Sequence, residues 1–148
     1  MHINILTIFP EIFDALNYGV IGKAKTNKSF SIKIQDIRDY PVNKHGQIDS
    51  KPYGGGEGMV MMAEPLKRSL ESIPKEKLGK IIYLSPQGAL FDNTKAKKLS
   101  KEPSATFICG RYEGIDQRFI DKYVDEEISI GDFIISGGEI AALCIVDS

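Results

Sequence analysis

An α/β domain around a mostly parallel sheet is the fold class that the sequence predicts, and three features predict it. Short apolar runs with strand character recur along the chain, and the segments between them carry apolar residues at helical spacing. Glycine clusters follow the strand-like runs, where turns or ligand loops belong. The 148 residues suit a single domain able to bury a sizeable core, and no internal repeat is detectable.

Taken in order, Ile3, Ile5, Leu6, Ile8 and Phe9 form a nearly continuous apolar run ended by Pro10, as in a strand buried on both faces. Pro10 suits the first turn of a helix whose inner face is Ile12, Phe13 and Leu16, and a second short helix is predicted over 20–24. Phe30, Ile32 and Ile34 alternate with polar residues, which predicts a half-exposed strand. Residues 36–50 are polar and read as a long loop. Pro65 opens a helix with Leu66, Leu70 and Ile73 on one side. A strand is predicted over 81–84, with Ser85-Pro86-Gln87-Gly88 turning the chain at its end. Asp92 is placed to cap a helix carrying Ala96 and Leu99, and 105–109 is the next strand. Ile115, Phe119, Ile120 and Tyr123 define one face of a further helix. Asp125-Glu126-Glu127 reads as a solvated loop. Ser136 and Glu139 have capping-box spacing ahead of an apolar helix over 140–146, which is deeply buried or packs on a partner.

Composition narrows the chemistry. A formal net charge of −1 makes the whole chain no obvious polyanion binder. Lys23, Lys25, Lys28, Arg38, Lys44, His45 and Lys51 nevertheless cluster in the first third, as either a solvated face or a phosphate-contacting one. Cys109 and Cys144 lie in apolar runs and read as buried thiols of a reducing cytoplasm. The amino terminus lacks the basic region of a signal peptide, and no apolar run approaches membrane-spanning length. With His2 and His45 the only histidines, neither a zinc-site spacing nor a nucleophile-elbow sequence is present. Met59, Met61 and Met62 read as packing residues.

The glycine clusters fit neither familiar nucleotide loop. Gly54-Gly55-Gly56-Glu57-Gly58 lacks the Lys-Ser/Thr ending and a preceding strand, and 110–114 lacks the Gly-x-Gly-x-x-Gly spacing. Three clusters close together, at 110–114, 130–133 and 136–139, instead suggest loops converging on one ligand beyond the carboxyl ends of the strands. Arg111 and Tyr112, set among glycines, could stack on a base or meet a phosphate.

Seven segments in register from end to end carry a resemblance. They are Thr7-Ile8-Phe9-Pro10-Glu11-Ile12-Phe13, Arg38-Asp39, Pro52-Tyr53-Gly54-Gly55-Gly56-Glu57-Gly58-Met59, Tyr83-Leu84-Ser85-Pro86-Gln87-Gly88, Cys109-Gly110-Arg111-Tyr112-Glu113-Gly114-Ile115-Asp116, Ser129-Ile130-Gly131-Asp132-Phe133 and Ile135-Ser136-Gly137-Gly138-Glu139. Together they resemble the bacterial tRNA (guanine-N1)-methyltransferase family. That resemblance implies a deep carboxyl-side trefoil knot of the SPOUT type holding a bent S-adenosylmethionine, which periodicity would not suggest.

It places cofactor contacts on Tyr83, Leu84, Ser85, Pro86, Gly88, Gly110, Tyr112, Glu113, Gly114, Ile130, Gly131, Asp132, Phe133, Ile134, Ile135, Gly137 and Gly138. Substrate contacts fall on Pro52, Tyr53, Gly54, Gly55 and Arg111. It further implies a tRNA substrate, a cytoplasmic homodimer and no membrane, and leaves the participation of Mg2+ open. The family's general-base aspartate, its assisting arginine and a helical tRNA-gripping domain are expected past Ser148, so the expectation is a cofactor-binding domain impaired in catalysis. Two other readings stand beside it: a non-catalytic module of the same fold that holds cofactor or RNA, and a flavodoxin-like regulatory domain of doubly wound topology.

Overall fold

The computed structural model describes residues 1–52 and 54–148. Its main sheet contains β1 (His2–Thr7), β2 (Ser31–Asp36), β5 (Lys80–Leu90), β6 (Ser104–Cys109) and β7 (Glu126–Ser129), arranged in space as β2-β1-β6-β5-β7. Every pairing in it is parallel. Two short strands, β3 (Asp49–Ser50) and β4 (Val60–Met61), form a separate antiparallel pair. Helices α1 (Gly19–Thr26), α2 (Ala63–Glu71), α3 (Lys75–Leu78), α4 (Asn93–Leu99), α5 (Gln117–Tyr123) and α6 (Gly138–Asp147) connect or flank the strands. The strand order rejects the flavodoxin-like reading. Counted along the chain, the five sheet strands lie 2-1-4-3-5, whereas that fold is ordered 2-1-3-4-5.

Burial on both faces explains the strand composition. Every residue of β6 is buried, and Ile5, Phe107 and Ile82 lie abreast on β1, β6 and β5. One face packs Phe13, Ala142 and Ile145 against these residues, and the other packs Leu6, Ile108 and Tyr83 under Leu66, Leu70 and Phe119. The edge strand β2 is only half buried, as its alternation predicts. Asp92 caps α4 by accepting from the Lys95 amide at 2.7 Å. Among the described residues, no helix is long and apolar enough to cross a membrane.

The helix expected after Pro10 is present, as a 3₁₀ helix over Pro10–Asn17 with Phe13 and Leu16 buried. Several sequence expectations are corrected. Residues 36–50 are not all loop, since they hold a 3₁₀ turn, Ile37–Asp39, and β3. Ser85-Pro86-Gln87-Gly88 does not end β5. It bulges, and Ala89 and Leu90 resume pairing with Ile128 and Ser129 of β7. A side chain at Gly88 would overlap the Ile128 backbone, so this glycine permits two main chains to approach. The acidic stretch is the start of β7, in which Glu126 pairs with Lys80 and Lys95. Burial acts to raise the Glu126 pKa, but the two lysine hydrogen bonds outweigh it and hold the carboxyl below its usual value.

The predicted capping box is not formed. Gly137 is the N-cap of α6, with no side-chain cap, and Glu139 is buried elsewhere. Cys109 is buried as expected, whereas Cys144 lies exposed on the outer face of α6. Of the methionines in question, Met61 is wholly buried.

Candidate cofactor pocket and its clamp

Parallel strands deliver their carboxyl ends to one side of the sheet, and the cavity lies there, at the ends of β5, β6 and β7. Its volume is about 330 Å³, within the range of small-molecule sites of roughly 300–1,000 Å³. The loop after β6 forms one wall, the bulge of β5 a second, and the 130–137 segment with the start of α6 a third. Of the residues expected at a cofactor, Tyr83, Leu84, Ser85, Pro86, Gly110, Tyr112, Glu113, Gly114, Ile130, Phe133, Ile134, Ile135, Gly137 and Gly138 line this one cavity. Gly88, Gly131 and Asp132 do not.

Close packing explains several of these positions. A Cβ on Gly110 would lie 2.7 Å from the Tyr83 ring, and one on Gly138 would lie 2.7 Å from Cys109 Cα. The Gly138 amide donates to the Gly110 carbonyl at 3.0 Å, which seats the first turn of α6 on the end of β6. Gly131 is bound into a tight turn by Ser129 Oγ. A side chain at Gly131 would press on Phe133, which lines the cavity. In Gly131→Val, cofactor affinity is expected to fall about tenfold, the equivalent of roughly 1.4 kcal/mol, and calorimetric titration of the variant checks it.

Of the residues expected at the substrate, Arg111 lines the cavity, whereas Pro52, Gly54 and Gly55 do not. Gly54 and Gly55 adopt φ of +87° and +88°, the left-handed region that glycine tolerates. Tyr53 lies outside the described residues. The segment is tied to the cavity through its continuation: Glu113 N donates to Met59 O at 3.0 Å, Met61 N to Gly114 O at 3.0 Å, and Asp116 N to Met61 O at 2.9 Å. Gly58 packs directly against the Glu113 side chain.

Arg111 lines the cavity and is also held by the core. Its Nε donates to Glu139 Oε2 at 2.9 Å, Nη1 reaches the Ser136 carbonyl at 3.3 Å, and the guanidinium lies 4.6 Å from the Phe9 ring centroid. Glu139 is fully buried, and its other oxygen accepts from Thr7 Oγ1 at 2.8 Å. Thr7 Oγ1 in turn accepts from the Phe9 amide at 2.9 Å. One carboxylate thus joins the end of β1, the loop after β6 and the start of α6. Sequence reasoning read Glu139 as a cap and missed this clamp. Tyr112, beyond Arg111, is about half exposed and sits at φ +61°. Burial and then Asp49 raise its pKa.

The cavity-lining residues Gln87, Glu127, Ser129 and Ala141 were also missed. Glu127 and Ser129 belong to β7, whose acidic start was read as a loop, so recognising that strand would have found them. Tyr83 is buried at the floor, and its hydroxyl is pushed up to about 12, by burial first and then by Glu127. Because the folded state keeps this proton while the unfolded chain loses it near pH 10, stability is expected to fall as pH rises from 10 to 12. The loss from this group is at most about 1.4 kcal/mol per pH unit, and Tyr83→Phe should flatten that part of the stability–pH curve.

These walls can enclose a flat heterocycle between apolar side chains and main-chain donors, the combination that an adenosyl group requires. A family model described as tRNA (Guanine-1)-methyltransferase TrmD matches residues 1–148. The chain belongs to this family. Relatives named tRNA (guanine-N(1)-)-methyltransferase include one from Clostridium perfringens (strain SM101 / Type A), 49% identical over 148 residues. Another, from Clostridium novyi (strain NT), is 50% identical over 148 residues. All of this chain is covered in both matches, but only 62% of the first relative and 61% of the second. The family members to which this chain is similar are therefore longer, and the pocket described above belongs to the part that they share with it.

Proposed function

We propose that this chain is the cofactor-binding domain of an enzyme that moves a methyl group from S-adenosylmethionine to N1 of the guanosine immediately 3′ of the anticodon in tRNA. The observation that carries this reading is the convergence of the β5 bulge, the 110–114 loop and the 130–138 segment on one cavity, in a chain that belongs to the family. Bound S-adenosylmethionine supplies an electrophilic methyl on a sulfonium. The chain's own part is to enclose the adenosyl group between Leu84, Ile130 and Ile135, to exclude water, and to fix the loop after β6 through Arg111.

The 148 residues act as one domain. A trefoil knot is part of this proposal, supported by the exchanged strand order and by the return of α6 against β6 and β5 after β7. The exposed apolar side chains Phe133, Ile134 and Ile140 support a homodimer. Cytoplasmic residence follows from a tRNA substrate. Among the described residues no group of three or more His, Cys, Asp or Glu could hold a metal ion, and no step is assigned to Mg2+.

Guanine N1 carries a proton at neutral pH, so transfer to it requires a general base, which typically contributes about 10²–10⁴-fold. No residue of the pocket is assigned that role, and these 148 residues, which span 62% of the first relative, are proposed to bind cofactor with impaired catalysis. Methyl transfer to a tRNA transcript, measured beside the full-length Clostridium perfringens relative, tests both statements. The relative should methylate a transcript with guanosine at that position and not one with adenosine, and the present chain should be at least about 100-fold slower. Equal rates would contradict the impaired catalysis. A non-catalytic cofactor- or RNA-binding module of the same fold remains the alternative if the longer protein is also inactive.

A further inference from the structure

Among the described residues lining the cavity, Arg111 is the one cation, and Glu113 and Glu127 are the carboxylates. Glu139 lies behind Arg111, wholly buried, with its Oε2 2.9 Å from Arg111 Nε. A guanidinium that is only 19% exposed is weakly screened by solvent, so its charge would reach into the cavity without that partner. S-adenosylmethionine carries a sulfonium, an ammonium and a carboxylate, for a net charge of +1. After methyl transfer the sulfur is a neutral thioether and the net charge of the product, S-adenosylhomocysteine, is zero. The two ligands otherwise have nearly the same shape.

We infer that Glu139 is a specificity-determining residue. By neutralising Arg111 it lets the pocket favour the cationic cofactor over its neutral product. The inference rests on the cofactor reading above and deepens it. The same contact has a plain structural role, because it ties α6 to β1 through Thr7 and to the loop after β6 through Arg111. The two roles make different predictions. A structural clamp affects both ligands alike, since both fill the same walls. Charge neutralisation affects the sulfonium ligand selectively.

Glu139→Gln preserves the volume and an oxygen to accept from Thr7, but it removes the charge opposite Arg111. Its affinity for S-adenosylmethionine is expected to fall about tenfold, with less than about a twofold change for S-adenosylhomocysteine. In the double variant Arg111→Gln, Glu139→Gln both charges are absent, so the ratio of the two affinities should return to within about twofold of the wild-type ratio.

The experiment is calorimetric titration of the wild-type chain and both variants with each ligand, with thermal unfolding as the check on folding. Parallel losses for both ligands in Glu139→Gln would overturn the inference in favour of a purely structural clamp. So would a double variant whose affinity ratio stays away from that of the wild type. That second result decides the matter alone if the single variant does not fold. Wild-type protein that binds neither ligand would instead overturn the cofactor reading, and this inference with it.

Discussion

Gly138→Val is expected to abolish measurable cofactor binding and to destabilise the fold by about 3 kcal/mol, the upper end for overpacking a well-packed site. The position is the first residue of α6, where a Cβ would approach Cys109 Cα to 2.7 Å and the Gly110 amide nitrogen to 3.2 Å. Both are main-chain atoms of β6 and its loop, so no side chain can swing away to make room. Relief requires α6 to lift from the sheet. That movement would break the Gly138–Gly110 hydrogen bond, withdraw Glu139 from Thr7 and Arg111, and open the cavity wall formed by Gly137 and Gly138. Thermal unfolding and S-adenosylmethionine titration check the two parts separately. Unchanged binding in a folded variant would remove the start of α6 from the site.

Phe107→Ala is expected to cost about 3–5 kcal/mol with little specific effect on the pocket until the protein unfolds. Phe107 is 1% exposed in the strand at the centre of the sheet and pairs across to Ile5 on one side and Ile82 on the other. The residues that would have to close a cavity there, Phe13 and Ala142, belong to separate elements packed on the same face. Collapse is therefore incomplete, and the residual void adds to the lost transfer energy. A total stability of about 5–15 kcal/mol is usual for a domain, so this substitution alone approaches the limit. Chemical denaturation should show a lower midpoint with an unchanged slope. A cost under about 1 kcal/mol would mean that this face repacks freely.

How much of this was legible in the sequence depended on whether local chemistry or distant pairing decided the outcome. β1 and β6 were readable because strands covered on both faces must be apolar throughout, and Ile3, Ile5, Phe107 and Ile108 show it directly. β7 was not, because it begins with two glutamates. Its placement depends on Lys80 and Lys95, which hold Glu126 from 46 and 31 residues away. The strand order was equally hidden, since Phe107 lies beside Ile5 through contacts spanning most of the chain.

At the site, the glycine clusters signalled that main chains approach closely there. They did not separate glycines that line the cavity, such as Gly110, from those that pack elements together, such as Gly88. Ser136 and Glu139 show the opposite failure. A local motif with the right spacing was overridden because Glu139 finds Thr7 and Arg111 in the core. The exposure of Cys144 was concealed because the inner and outer faces of α6 differ little in polarity.

The cavity is proposed to hold S-adenosylmethionine. Calorimetric titration of the 148-residue chain with S-adenosylmethionine, alongside NADH and FMN, tests it most directly. Saturable binding of S-adenosylmethionine alone is the predicted result. A folded chain that ignores S-adenosylmethionine, or that takes FMN or NADH in its place, would contradict it.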